Sequence, residues 1–203
     1  KGKKVGAFGD AECFSFSITK PLVCSEGGMV TSANPALLEK IRIMRNYGVK
    51  SGYNSIMPGL NGKMSEFHAV IGLENLSGFA SKIEKRKVLA EKFAQKLQAK
   101  TNCEFQVPCN SYEAIWKQFN ILLPTSESQL RAKVMENLSL AGIETRAYFS
   151  PAIHQQEFFK RYHKRPLPKT EDFASRCLTL PFYESMTDDE MDEVVDALAK
   201  SLK

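Results

Sequence analysis

The stretch Cys13-Phe14-Ser15-Phe16-Ser17-Ile18-Thr19-Lys20-Pro21, followed by Ser25-Glu26-Gly27-Gly28-Met29-Val30, decides how the rest of the chain is read. From Glu12 to Ser17, apolar and small polar side chains alternate, the two-residue period of a strand with unlike faces. That period predicts Phe14, Phe16 and Ile18 on a core face and Ser15 and Ser17 on a polar one. Lys20 stands before a proline, which steers its backbone toward an extended or turn conformation. An amine held at a strand end beside small hydroxyls can serve as a nucleophile or a proton carrier. A lone loop lysine is more often a solvated charge, so these residues alone leave both readings open.

Working outward, Gly27–Ser32 reads as a second strand. Asn34 caps a helix with Pro35 at its first position, running to about Asn46 before Gly48. Residues 48–62 hold four Gly and one Pro and read as a long loop, a kind of segment that is usually functional in a compact domain. Helices are expected at about 64–75 and 77–99, the second with a stripe of Phe79, Ile83, Lys87, Ala90, Phe93, Ala94 and Leu97. Strands at about 103–107 and Ile115–Leu123 precede a helix opened by Ser126, with Gln129 in capping-box position, that stops at Gly142. A strand, Ile143–Arg146, and a last helix opened by the capping box Thr187-Asp-Asp-Glu190 complete the pattern. Alternating strands and helices give an α/β chain, with a boundary expected inside the long helix.

Composition sets the outer limits. The 203 residues are 43% hydrophobic and 25% charged, values of a folded globular chain. No apolar run approaches the ~18–20 residues that span a bilayer, so no membrane segment is expected. Five scattered cysteines, without Cys-x-x-Cys or a histidine at ligand spacing, argue against a disulfide framework and against a metal site, and for reduced thiols in the cytoplasm. The net charge of +5 gathers at Lys82–Lys87 and Lys160–Lys169. Both runs are interrupted and lack interleaved aromatics, so they read as solvated faces and not as a nucleic-acid platform. Asp10 reads as a turn residue. The opening Lys-Gly-Lys-Lys, without Met, reads as a chain that is a fragment or processed.

The run Phe-Ser-Phe-Ser-x-Thr-Lys-Pro-x4-Glu-Gly-Gly-Met-Val resembles the pyridoxal-phosphate lysine segment of the DegT/StrS-type sugar-nucleotide aminotransferases, a branch of the fold-type I PLP enzymes. Further stretches resemble that family in order: Ile41-Arg-x-x-Arg45-Asn-Tyr-Gly48; Gly59-Leu-Asn61-Gly-Lys-Met64-Ser-Glu66-x-x-Ala69-x-x-Gly72-Leu; Gly142-Ile-x-Thr-Arg146-x-Tyr148-x2-Pro151-x2-His154; and Leu178-x-Leu-Pro181. The resemblance implies the C-terminal part of a fold-type I PLP-dependent transferase. Residues 1–90 would end the large cofactor-binding domain and carry the dimer-interface loop, and 91–203 would form a small α+β domain. Lys20 would be the catalytic lysine that bonds the cofactor, and Ser15 would bind the cofactor phosphate. Asn61 would reach the phosphate of the neighbouring subunit's cofactor in a homodimer with shared active sites. Tyr148 and His154 would face the sugar nucleotide. The reaction implied moves an amino group from L-glutamate to a keto sugar nucleotide. Lys20, where related dehydratases carry His, points to transamination. Asn61 in Leu-Asn-Gly also reads as a plain turn residue, and His154 as a satisfied loop or core histidine.

Three positions depart from the pattern: Ser25 stands for the family's Gly, Lys63 for its Arg, and Gly62 for an aromatic. A lysine cannot reproduce a planar two-pronged contact, so any such contact at position 63 is lost. The phosphate loop, the group stacked on the pyridine ring and the Asp that pairs its nitrogen would all lie upstream of Lys1. The competing expectation is therefore a non-catalytic remnant or interaction module that keeps the fold without a complete cofactor site.

Overall fold

A computed structural model describes residues 2–106, 108, 112–125, 129–162 and 164–203. The chain forms two compact units, one ending at Lys82 and the other running Ile83–Lys203.

In the first unit, β1 (Glu12–Ser15) pairs antiparallel with β2 (Gly28–Thr31), with Phe14 opposite Met29 and Ser15 opposite Gly28. Helix α1 (Pro35–Met44) starts where expected: Asn34 Oδ1 accepts from the amides of Ala36 and Leu37 at 3.0 and 3.2 Å, a cap worth about 1 kcal/mol. The expected loop of 48–62 contains a small hairpin, β3 (Val49–Ser51) and β4 (Asn54–Ser55), turning through Gly52 at φ +60°. Two of its glycines are required by space. A Cβ on Gly48 would sit 1.7 Å from Met57 O, and one on Gly59 would sit 2.0 Å from Gly48 N. The end of α1 and residues 57–62 therefore touch backbone to backbone. Helix α2 (Glu66–Ser77) is capped by Ser65.

Helix α3 (Phe79–Lys100) runs from the first unit into the second, where it buries Arg86, Ala90, Phe93 and Leu97. A three-stranded antiparallel sheet follows, ordered β5 (Glu104–Phe105), β6 (Phe119–Leu122), β7 (Cys177–Leu180). With α4 (Leu130–Leu140), α5 (Pro168–Arg176) and α6 (Asp188–Ser201) it completes the unit. Phe119 is the hub of the core, with ring centroids of Phe93, Trp116, Phe105 and Phe182 at 4.9 to 5.8 Å. Helices α3 and α6 run parallel in one register: Lys92–Asp188, Lys96–Asp192 and Lys100–Asp196 pair at 3.2, 2.7 and 2.5 Å. The capping box at Thr187 is formed, with Glu190 reaching back to the Thr187 amide at 2.7 Å.

Several expectations change. Ile18 is 74% exposed, because the chain leaves the strand at Ser17 and turns, the Lys20 amide donating to Ser17 O at 2.9 Å. The strand expected over Ile115–Leu123 is shortened to β6 because Arg86, not a neighbouring strand, takes the carbonyls of Trp116 and Lys117 at 2.7 and 2.8 Å. Arg86, part of the presumed solvated run Lys82–Lys87, is only 6% exposed. It also pairs with Glu184 at 2.5 Å and lies 4.9 Å from the Phe182 ring centroid. The strand Ile143–Arg146 reduces to one bridge, Arg146 to Thr179, since the chain turns again at Ala147–Ser150. Helix α5 and strand β7 were not anticipated. The expected helix opener Ser126, the strand end Val107 and Cys109 lie outside the described residues. Cys24, Cys103 and Cys177 are buried free thiols and Cys13 is an exposed one; burial raises the Cys103 and Cys177 thiols above the ordinary range.

Candidate active site

The β1–β2 hairpin positions the hydroxyls and the amine. Past β1 the pairing continues through backbone bonds, Phe16 N to Gly27 O and Cys24 N to Phe16 O, each 2.9 Å. The tip they enclose carries Lys20, partly buried, beside a buried Pro21. Ser15 Oγ donates to Ser17 Oγ at 3.3 Å, and the Ser17 amide donates to Ser15 Oγ at 3.4 Å, so both hydroxyls share one face as the period requires. Across the hairpin, Gly28 has no side chain to cover the exposed Ser15. A Cβ there would lie 2.6 Å from Phe14 O, so the strands could not keep their spacing. Gly27 holds φ +134° with Met64 packed so close that a Cβ would meet Met64 Cε at 2.6 Å.

Helix α2 fixes the tip from behind. A Cβ on Gly72 would lie 2.4 Å from Cys24 Sγ, and Asn75 Nδ2 donates to Val23 O at 3.0 Å. Lys82 Nζ reaches Pro21 O at 3.5 Å. Sequence reasoning missed Asn75, Cys24 and Lys82 as supports of Lys20. The one available signal was Gly72 itself, since a glycine inside a helix costs roughly 1 kcal/mol and marks a close approach.

Asn61 is exposed and lies in an isolated antiparallel bridge with Asn46. Its neighbours continue that pairing: Tyr47 N donates to Leu60 O at 3.0 Å and Gly62 N to Arg45 O at 2.8 Å. Asn61 is thus set by the end of α1 and is not a turn residue. Ser15 and Lys20 share the hairpin; Tyr148 and His154 belong to the second unit, on the segment after the Arg146 bridge. Tyr148 stacks on Phe149 at 4.9 Å between centroids. His154 Nε2 lies 3.1 Å from Glu171 Oε1, and that oxygen also accepts from the Leu167 amide at 3.0 Å. Glu171 sits on the unanticipated α5, so no sequence signal connected it to His154. Among the described residues, no group of three or more His, Cys, Asp or Glu is arranged to hold a metal.

A lysine on a turn with two hydroxyls beside it fits a phosphorylated aldehyde: the amine can bond the carbonyl carbon and the hydroxyls can donate to phosphate oxygens. A model of the DegT/DnrJ/EryC1/StrS aminotransferase family matches residues 1–199. The chain belongs to that family. A UDP-N-acetyl-3-dehydro-alpha-D-glucosamine 3-aminotransferase of Acidithiobacillus ferrooxidans is 29% identical, over 99% of this chain and 53% of its own. The crystal structure of DesI with its TDP-sugar product is 32% identical with a TM-score of 0.90, covering 99% of this chain and 52% of that one. A PLP-dependent aminotransferase structure from Bacillus cereus is 33% identical with a TM-score of 0.84, over 93% and 51%. The chain spans about half the length of the curated relatives it matches. The α/β fold is that of the C-terminal half of the PLP-dependent aminotransferases.

Proposed function

We propose that this chain is the cofactor-lysine and C-terminal portion of a cytoplasmic PLP-dependent aminotransferase that moves an amino group from L-glutamate to a keto sugar nucleotide. The observation that carries the reading is the anchored hairpin tip: Lys20 on a turn beside the paired hydroxyls of Ser15 and Ser17, held by Gly27, Gly28 and the Cys24–Gly72 contact. The sugar-nucleotide names of the Acidithiobacillus relative and of the DesI complex support the substrate class. Pyridoxal phosphate, when bound, supplies the electron sink that makes the donor's α-carbon acidic.

The residues then divide the work. Lys20 Nζ would hold the cofactor covalently and would carry the proton taken from the donor's α-carbon. Ser15 donates to the cofactor phosphate, and Asn61 donates to the phosphate of the neighbouring subunit's cofactor in a homodimer. Tyr148 and His154 face the sugar nucleotide, and Glu171 fixes the orientation of the His154 ring. Helix α2 supports the dimer: it exposes Phe67 by 85%, Leu73 by 67% and Val70 by 65%, and a helix so apolar on its outer side is ordinarily covered. Among the described residues no helix is long and apolar enough to cross a membrane.

The test is borohydride reduction of the full chain with added pyridoxal phosphate, followed by peptide mapping. A reduced adduct on Lys20, lost in Lys20→Ala, supports the reading. A folded sample that gives no adduct, or an equal adduct on surface lysines, overturns it for this chain and favours the non-catalytic remnant.

A further inference from the structure

The segment that carries Tyr148 and His154 is fastened along its length to residues 171–179 of α5 and β7. Arg146 and Thr179 exchange backbone bonds, Arg146 N to Thr179 O at 3.2 Å and Thr179 N to Arg146 O at 2.6 Å. Next, the chain turns, with Ser150 N donating to Ala147 O at 2.8 Å, and Tyr148 lies inside that turn. The Ser150 hydroxyl accepts from Arg131 Nη2 at 3.0 Å, while Nη1 of the same guanidinium donates to Ala174 O. In the short helical turn Ile153–Gln155 that follows, His154 meets Glu171. Positions 146, 150 and 154 thus face 179, 174 and 171 in turn, an antiparallel course that backbone pairing begins and side chains finish. Of these three ties, the middle one is made by a third element, α4, through Arg131.

Arg131 does not serve its own helix. It stands in the first turn of α4, which has no acidic residue, at the end where the helix dipole disfavours a cation. Its planar fork reaches two acceptors on different segments, which an ammonium on a flexible stem cannot hold in fixed geometry. Ala174 O belongs to the last turn of α5, whose carbonyls have no following helical amide to pair them. Capping α5 accounts for that bond, and leaves the one to Ser150 unexplained. Ala174 and Ala152 are buried, at 3% and 5% exposure, so the tie joins two pieces of packed chain and not two free loops.

We infer that Arg131 is the positioning residue of the substrate face: by tying Ser150 to the end of α5 it fixes the turn that presents Tyr148 and keeps His154 in register with Glu171. The inference rests on the reading that Tyr148 and His154 face the sugar nucleotide. Arg131 itself need not touch the substrate. It acts through the segment, whose amides at Ser150, Ala152 and Gln155 all donate within the same stretch, to Ala147 O, Gln155 Oε1 and Ala152 O. Those three amides are therefore direct reporters of whether the segment is held.

The test compares the full chain with Arg131→Gln and with Ser150→Ala, which removes the segment's side of the tie and leaves the bond to Ala174 O in place. Two readouts are taken: amide hydrogen exchange, and calorimetric titration with UDP-N-acetylglucosamine. Exchange at Ser150, Ala152 and Gln155 is expected to rise about tenfold in both variants, the worth of one hydrogen bond to a charged group. In Ser150→Ala the α6 amides of Val194, Val195 and Leu198 are expected to keep their native rates, and affinity for the probe to fall in both variants. Native exchange and affinity in Ser150→Ala reduce Arg131 to a cap of α5 and overturn the inference. So does exchange that rises equally in α6, or faster exchange at the three reporters with unchanged affinity. A native chain that does not bind UDP-N-acetylglucosamine overturns instead the reading of Tyr148 and His154, and the exchange rates still decide whether Arg131 holds the segment.

Discussion

Arg86 is the most exacting test of how the second unit holds together. Its side chain is 7% exposed and donates to three groups: Trp116 O at 2.7 Å, Lys117 O at 2.8 Å and the Glu184 carboxylate at 2.5 Å. Trp116, the chain's single tryptophan, is held at φ +46°, a left-handed backbone that an L side chain adopts only at a cost of roughly 1–2 kcal/mol. Arg86→Met keeps much of the stem's apolar volume and removes all five donors. Breaking a buried pair costs about 3–5 kcal/mol, and each carbonyl left without a donor about 1–3. These costs overlap, and Glu184, 32% exposed, can rehydrate, so the sum falls at about 3 kcal/mol. Arg86→Lys keeps the charge without the fork and is expected to recover roughly half of that. Urea denaturation followed by Trp116 emission and by far-ultraviolet circular dichroism measures the loss, and the native emission of Arg86→Met should shift as the residue-116 backbone relaxes. A loss below about 1 kcal/mol, or Arg86→Lys as damaging as Arg86→Met, refutes the reasoning.

Two further outcomes follow from the geometry. Gly72→Ala gains roughly 1 kcal/mol of helix propensity on α2, yet places a methyl 2.4 Å from Cys24 Sγ; over-packing of this kind costs about 1–3 kcal/mol. It is expected to be neutral to destabilising alone and stabilising in a Cys24→Ala background, a double-mutant cycle with opposite signs; additive effects would sink the claimed contact. In α6, the bond to the Thr187 amide first of all, and then the Thr187 hydroxyl, hold Glu190 below the usual carboxylate range, and Lys96 does the same for Asp192. A depressed carboxylate contributes stability above its unfolded pKa, about 4.3 for Glu and 3.9 for Asp, and that stability is lost as pH falls through the lower folded value. The gap in urea midpoint between the native chain and Glu190→Gln/Asp192→Asn should therefore narrow on acidification below about pH 4, and a gap independent of pH contradicts the assignment.

Much of the candidate site was legible because its signals are local. The alternation from Glu12 to Ser17, the Lys-Pro step and the paired glycines act through the backbone of their own neighbours, and the two strands that flank Lys20 were readable from them, whereas their pairing, with Ser15 opposite Gly28, came from the structure. The caps at Asn34 and Thr187 formed as their side chains dictated, since a capping oxygen reaches an amide only two or three residues on. The C-terminal half of the PLP-dependent aminotransferase fold was likewise implied by ordered motifs along the chain.

What the tertiary structure decided rests on contacts between residues far apart in sequence. Arg86 looked like one more cation in a solvated run; only its position against residues 116, 117 and 184 makes it a buried keystone that cuts β6 short. Ile18 fell outside the core because the turn closed between Ser17 and Lys20 overrode the strand period. Glu171 met His154, and Cys24 met Gly72, across separations that no periodicity connects. Local sequence sets the shape of short segments through steric and hydrogen-bonding range, whereas charge balance and burial depend on three-dimensional neighbours and are settled when the chain packs.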